Sequence, residues 1–167
     1  MLLVETGSLS SPVSAGGGSH RLVVFGLDEQ RYALRLGAVE QVVRMVEITP
    51  LPQAPEIILG VVNIRGRIVP VFHLRKRFHL PERDFGLGDH LIVARTARRT
   101  VALVADAVLS VAARADEELV AVERIFPGLD YVEGVVKLDD GLVFIHDLDT
   151  FLSLEEEKTM EQALAPA

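Results

Sequence analysis

The side chains best suited to chemistry in this chain are His73, His146 and Asp147, with a guanidinium set beside a glycine at Arg65-Gly66. A histidine brought against a carboxylate makes a proton-transfer pair or part of a metal site. His73 falls opposite Asp147 when two similar stretches of the chain are laid over each other. No second histidine stands at metal-ligand spacing on a shared element, however. There is no glycine-rich phosphate loop with a following lysine, no serine nucleophile elbow and no paired-carboxylate motif. A small hydrolase or metal-binding protein using His146 and Asp147 is therefore the distant reading. The expectation is a non-catalytic protein with no cofactor and no metal, in which changing His146 or Asp147 alters stability or docking only.

The elements that position these residues are written twice. Gly60-Val-Val-Asn-Ile-Arg-Gly-Arg-Ile-Val-Pro-Val-Phe-His-Leu74 aligns without a gap on Gly134-Val-Val-Lys-Leu-Asp-Asp-Gly-Leu-Val-Phe-Ile-His-Asp-Leu148. Five of the fifteen positions are identical and three more exchange one aliphatic for another. Upstream, Tyr32-Ala-Leu34 through Val39 and Val42 lies over Val101-Ala-Leu103 through Val108 and Val111. A repeat of this kind favours paired modules with a groove between them over a catalytic pocket owned by one half.

Each unit reads as short strands. Leu22-Val-Val-Phe-Gly-Leu27 and Tyr32-Ala-Leu-Arg-Leu36 are apolar runs around the polar turn Asp28-Glu-Gln-Arg31. Val39, Val42 and Val43 extend a third strand, which Ile48-Thr-Pro-Leu-Pro52 ends because proline cannot donate to a ladder. Asn63-Ile-Arg-Gly-Arg-Ile68 is the next hairpin, with Gly66 available for a primed turn. Recurrent strands with few helical periods predict an all-β barrel or pair of barrels. Leu74 to Phe78 has room for one helical turn. Ser153-Leu-Glu-Glu156 is a capping box, predicting a short C-terminal helix over Leu154 to Leu164. The expected organisation is a flexible tail over 1–19, a folded body over 20–153 with repeat units near 20–85 and 88–153, and a helix and tail over 154–167.

Composition narrows the function. A chain of 167 residues can bury one domain or two barrel-sized halves sharing a core. A net charge of −7 argues against nucleic acid as the main partner, since phosphate binding needs clustered Lys and Arg. With no cysteine, disulfides and thiolate metal sites are excluded. Met1 to Val4 is too short for a signal segment, and no apolar run reaches the ~18 residues that span a bilayer. The expected location is the cytoplasm, without membrane insertion. Charge is uneven: Gly60 to Arg83 carries six Arg or Lys against Glu82, while Asp116 to Glu161 carries fourteen acids against Arg124, Lys137 and Lys158.

The string Ile48-Thr-Pro-Leu-Pro, Gly60-Val-Val-Asn-Ile-Arg-Gly66, Ile68-Val-Pro-Val71 and Leu74-Arg75 resembles the CheW family of chemotaxis coupling proteins. Phe25-Gly-Leu27, Tyr32-Ala-Leu34, Val39 to Arg44, Leu103-Val-Ala-Asp106-Ala-Val108 and Tyr131-Val-Glu-Gly134 extend the likeness, which runs from about Arg21 to Leu154. The resemblance implies two SH3-like five-stranded β-barrel subdomains and a scaffold without catalysis. It implies, as partners, the signalling tip of a chemoreceptor (methyl-accepting chemotaxis protein) and the regulatory domain of a CheA-type histidine kinase. The receptor hairpin would lie in the groove between barrels while another face docks the kinase. The alternative is a CheW-like adaptor of a non-flagellar chemosensory pathway.

Carried over residue by residue, Arg65 and Gly66 match the family's Asn-Leu-Arg-Gly signature, where a planar guanidinium holds carboxylates or carbonyls in fixed orientation. Val39, Val43, Gly60, Gly134 and Val108 fall at positions that resemble the binding groove and its supports. The plainer reading of the valines is barrel core. Three positions depart from the family pattern: Gln41 stands where a glutamate is usual, His73 where an aspartate is, and Ala102 where a glycine is. If the missing acid normally pairs with the signature arginine, Arg65 has lost its partner, and Glu40 replaces it only through a bulge or register change.

Overall fold

Leu22 to Leu27 has no polar residue, and a strand apolar on both faces needs a core on each side. Such strands sit at the centre of this molecule. The computed structural model describes residues 19–121, 132–139 and 141–165; most of the expected tail over 1–19 lies outside them. The first half contains β1 (Ser19–Leu27), β2 (Gln30–Arg35), β3 (Val39–Arg44), β4 (Ile58–Ile64), β5 (Arg67–Phe72) and the single helical turn α1 (Leu74–Arg77). The second contains β6 (His90–Arg95), β7 (Thr100–Ala105), β8 (Ala107–Ala115), β9 (Leu119–Ala121), β10 (Val132–Leu138), β11 (Gly141–His146) and α2 (Leu154–Leu164).

Two sheets result, in the orders β8-β1-β2-β11-β10-β9 and β3-β6-β7-β5-β4. They cross the boundary between the repeat units. The hairpin β1–β2 belongs to the sheet of the second half, and its counterpart β6–β7 belongs to the sheet of the first. Replacing each strand by its repeat equivalent turns one order into the other, with the three-residue β9 as the extra member. The exchanged hairpins are joined to their hosts by parallel pairs at matching places, Phe144↔Tyr32 with Ile145↔Ala33 and Val71↔Ala102 with Phe72↔Leu103.

The exchange follows from burial. Leu22, Val24 and Ala33 line the interior of one barrel with Val136, Val143 and Ile145. Leu91, Val93, Ala102 and Val104 line the other with Val62, Val69 and Val71. The alternate residues, Val23, Phe25, Leu34, Ile92, Val101 and Leu103, meet in a third cluster between the barrels. The four exchanged strands thus have two cores to fill, which is why their sequences are continuous rather than alternating in polarity.

Closure relies on close chain crossings. Thr49 exchanges hydrogen bonds of 2.8 Å with Val61, which joins the chain after β3 to β4. A Cβ on Gly60 would lie 2.2 Å from the Thr49 carbonyl oxygen, and its φ is +155°. In the other barrel β9 takes the place of Thr49, and a Cβ on Gly134 would lie 3.1 Å from the Val120 carbonyl oxygen. The tight turn Arg65-Gly66 has φ of 53° and 86°, the doubly positive geometry of a primed hairpin. Helix α2 begins at the expected capping box, the Ser153 hydroxyl accepting from the Glu156 amide at 3.1 Å and Glu156 reaching back at 2.9 Å. It covers the central cluster with fully buried Met160, while Phe151 stacks on Phe72 at 4.5 Å. Among the described residues no helix is long and apolar enough to cross a membrane.

Candidate protein-docking site

Edge strands β3 and β8 are repeat equivalents, and each carries a bulge. In β3 the register with β6 shifts between Val39 and Gln41, leaving Glu40 as the extra residue. In β8 the register with β1 shifts so that Leu109 is extra. Residues three apart in a regular strand point to opposite faces. The extra residue restores parity, so Val39 with Val42, and Val108 with Val111, all turn toward the cluster between the barrels. Val39 is buried there, whereas Val42, Val108 and Val111 are half-buried and line its margin. The inter-barrel seam is thus bordered by aliphatic side chains that keep part of their surface in water.

The other expected site residues separate by role. Val43 is half-buried and packs against the core of its own barrel. Gly60 and Gly134 are buried at the closure points, where their lack of a side chain admits a neighbouring backbone. Arg65 and Gly66 form an exposed hairpin tip, pinned by Asn63 Oδ1 accepting from the Gly66 amide at 2.7 Å. Gln41 lies half-buried on β3, opposite Val93.

The bulge at Glu40 gives the acid a partner different from the one in question. Glu40 accepts from Arg67 at 2.8 Å and from the Thr100 hydroxyl at 3.1 Å. The hydrogen bond from Arg67, opposed by burial and aided by Thr100, holds the Glu40 carboxyl below its ordinary range. The Arg65 hairpin is thereby fastened to β3 through the neighbouring arginine, leaving the Arg65 guanidinium to solvent. Arg67, two residues beyond the Arg65 tip, thus ties the β4–β5 hairpin to Glu40 of β3.

The histidines go to separate tasks. His73 is buried before α1, its amide donating to the Ile57 carbonyl at 2.6 Å and its Nε2 lying 3.2 Å from Glu82. His146 stacks on Phe78 at 4.5 Å and lies 5.1 Å from Tyr32. Asp147 Oδ1 accepts from the Asp149 amide at 3.0 Å and caps a short turn. Among the described residues no group of three or more His, Asp or Glu is placed to hold a metal ion.

A cluster that sequence reasoning missed stands at the other end of the seam. Arg75, 3% exposed, donates to both oxygens of Asp28 at 2.7 and 3.1 Å, to both oxygens of Asp106 at 2.8 and 3.0 Å, and to the Pro81 carbonyl at 2.8 Å. Arg83 donates to Asp106 and Asp89, each at 2.6 Å. Burial would raise the Asp106 carboxyl, but the Asp28 amide and the two guanidiniums outweigh it and hold it low. Its signal in the sequence is faint, since Arg75 sits in a basic run that reads as surface. A second apolar surface lies nearby, a groove of about 690 Å³ lined by Met45, Val46, Ile48, Phe85 and Leu87, with Leu87 87% exposed.

The sequence and the fold are similar to those of known proteins. The family model of the CheW-like domain matches residues 21–156. Chemotaxis protein CheW of Treponema pallidum is 26% identical over 151 residues, covering 87% of this chain and 89% of that protein. Chemotaxis protein CheW of Thermotoga maritima is 31% identical over 140 residues, covering 84% and 90%. The crystal structure of the scaffolding protein TtCheW from Thermoanaerobacter tengcongensis superposes with a TM-score of 0.76 at 31% identity, covering 83% of this chain and 96% of that one. With a family model matching nearly the whole folded body and a shared fold at that identity, the chain belongs to the CheW-like family.

Proposed function

We propose that this chain is a cytoplasmic, non-catalytic chemotaxis scaffold that couples the signalling tip of a chemoreceptor to the regulatory domain of a CheA-type histidine kinase. The observation that carries this reading is the pair of bulged edge strands, which set half-buried Val42, Val108 and Val111 along the seam between barrels. An apolar helix face laid in such a seam buries those valines, the helix-in-groove mode of recognition. Arg65, exposed at the tight turn of the hairpin that Arg67 bonds to Glu40 of β3, supplies a charged anchor in this reading. An adaptor must hold two partners at once, so a second, separate surface is required. The groove at Met45, Val46, Ile48, Phe85 and Leu87 meets that requirement and is assigned here to the kinase.

The test is a pull-down of the purified chain with receptor signalling tips and a CheA-type kinase, repeated with Arg65→Ala and Leu87→Glu. Arg65→Ala is expected to weaken receptor capture by about tenfold, the scale of a single interface anchor, with the kinase retained. Leu87→Glu is expected to do the reverse. Failure of the unsubstituted chain to bind either partner overturns the coupling role.

A further inference from the structure

The Arg75 cluster joins parts of the chain that belong to different barrels. Arg75 rises from α1 at the end of β5, in the β3-β6-β7-β5-β4 sheet. Asp28 lies in the turn of β1–β2, in the other sheet. Asp106 is the one residue between β7 and β8, where the chain passes from one sheet to the other, and its amide donates to the Gly26 carbonyl at 3.0 Å. Arg83 carries the network on to Asp89, whose carbonyl accepts from the Met45 amide at 3.2 Å just beyond β3. The cluster therefore reaches Val108 through Asp106 and the end of β3 through Asp89. Those are the two strands that border the seam.

We propose that this cluster is a clamp that fixes the angle between the two barrels, and that Arg75 is a positioning residue for partner docking although its side chain is not among the valines that border the seam. The binding arm of this inference rests on the coupling role argued above; the geometric arm does not. Hydrophobic contact between the barrels is non-directional and tolerates small rotations. A guanidinium that binds two carboxylates through a rigid fork does not, because its hydrogen bonds are directional and it is desolvated. Lysine, with a compact charge, cannot hold both carboxylates in that plane.

The absence of cysteine allows a direct test. Ile68 and Leu142 are exposed, repeat-equivalent positions on different barrels, so Ile68→Cys with Leu142→Cys accepts a pair of spin labels without a competing thiol. The distance distribution between labels is measured by pulsed electron resonance in the otherwise unchanged chain and with Asp28→Asn, Arg75→Lys and Arg75→Met. Val62→Ala, a core change inside one barrel, serves as the control for simple loss of stability. The clamp requires a narrow distribution in the parent and in Val62→Ala, and a broadened or displaced one in Asp28→Asn and Arg75→Met, with Arg75→Lys rescuing little. Receptor-tip affinity is expected to fall about tenfold or more in the same variants. An unchanged distribution in Asp28→Asn and Arg75→Met overturns the clamp; should Arg75→Met fail to fold, Asp28→Asn and Arg75→Lys decide. If the parent binds no receptor tip, the coupling role falls while the distance measurement still judges the clamp.

Discussion

Gly60 and Gly66 both have positive φ, yet they answer to different constraints. At Gly66 a Cβ would meet nothing within 4 Å, so only backbone preference opposes a side chain. Gly66→Ala is expected to cost about 1 kcal/mol, read by denaturant unfolding. At Gly60 the added methyl would enter the Thr49 carbonyl, and the chain crossing that closes the barrel must shift. Gly60→Ala is therefore expected to cost about 3 kcal/mol, in the range of severe overpacking with backbone strain. Equal losses at the two positions would contradict this account. The ionisable residues add a pH dependence. Asp106, Asp89, Glu40 and Glu156 all have carboxyls held below their ordinary values in the folded chain. Below the ordinary carboxylate range, near pH 4, the unfolded chain binds more protons than the folded one. Melting temperature is thus expected to be flat above about pH 5 and to fall on acidification through and below pH 4, as a thermal titration would measure.

Among the elements, those whose specification is local were legible in the sequence. The Arg65-Gly66 turn is set by two adjacent residues, and α2 by Ser153 and Glu156 within one turn. The bulges were not legible. Val39 and Val42 stand three apart, a spacing that suits neither regular strand face, and only the ladder with β6 identifies Glu40 as the extra residue. The repeat told which segments are alike but not which ones pair, so the exchange of β1–β2 for β6–β7 could not be read from it. The Arg75 cluster escaped for a related reason: its carboxylates lie 47 and 31 residues away, beyond any local pattern. For α2, two contributions separate cleanly. Ser153→Ala removes the hydroxyl that accepts from Glu156 and is expected to cost about 1 kcal/mol. Met160→Ala leaves a hole in the central cluster and is expected to cost about 2–5 kcal/mol. Chemical unfolding of both variants would show the inversion if the helix were only a loosely attached tail.

For the molecule as a whole, the interleaved sheets mean that neither repeat unit contains a complete barrel. A chain opened between Phe85 and Gly88 would give two fragments, each lacking the hairpin that fills its own sheet. The fragments are expected to be insoluble or unfolded separately and to form one folded heterodimer when coexpressed, as size exclusion with circular dichroism would reveal. Folding of either piece alone would contradict the topology. The same interleaving governs birth at the ribosome. The hairpin β1–β2 is made first, with apolar residues on both faces, yet its neighbour β11 begins about a hundred residues later. At ordinary elongation rates of roughly 5–20 residues per second, that hairpin waits for seconds without its companion strand. During that interval its unpaired edge and greasy faces are open to wrong neighbours, including the nascent hairpin of an adjacent ribosome on the same message. Synthesis speed and chaperone supply, as much as equilibrium stability, therefore set how much of this adaptor reaches its working form.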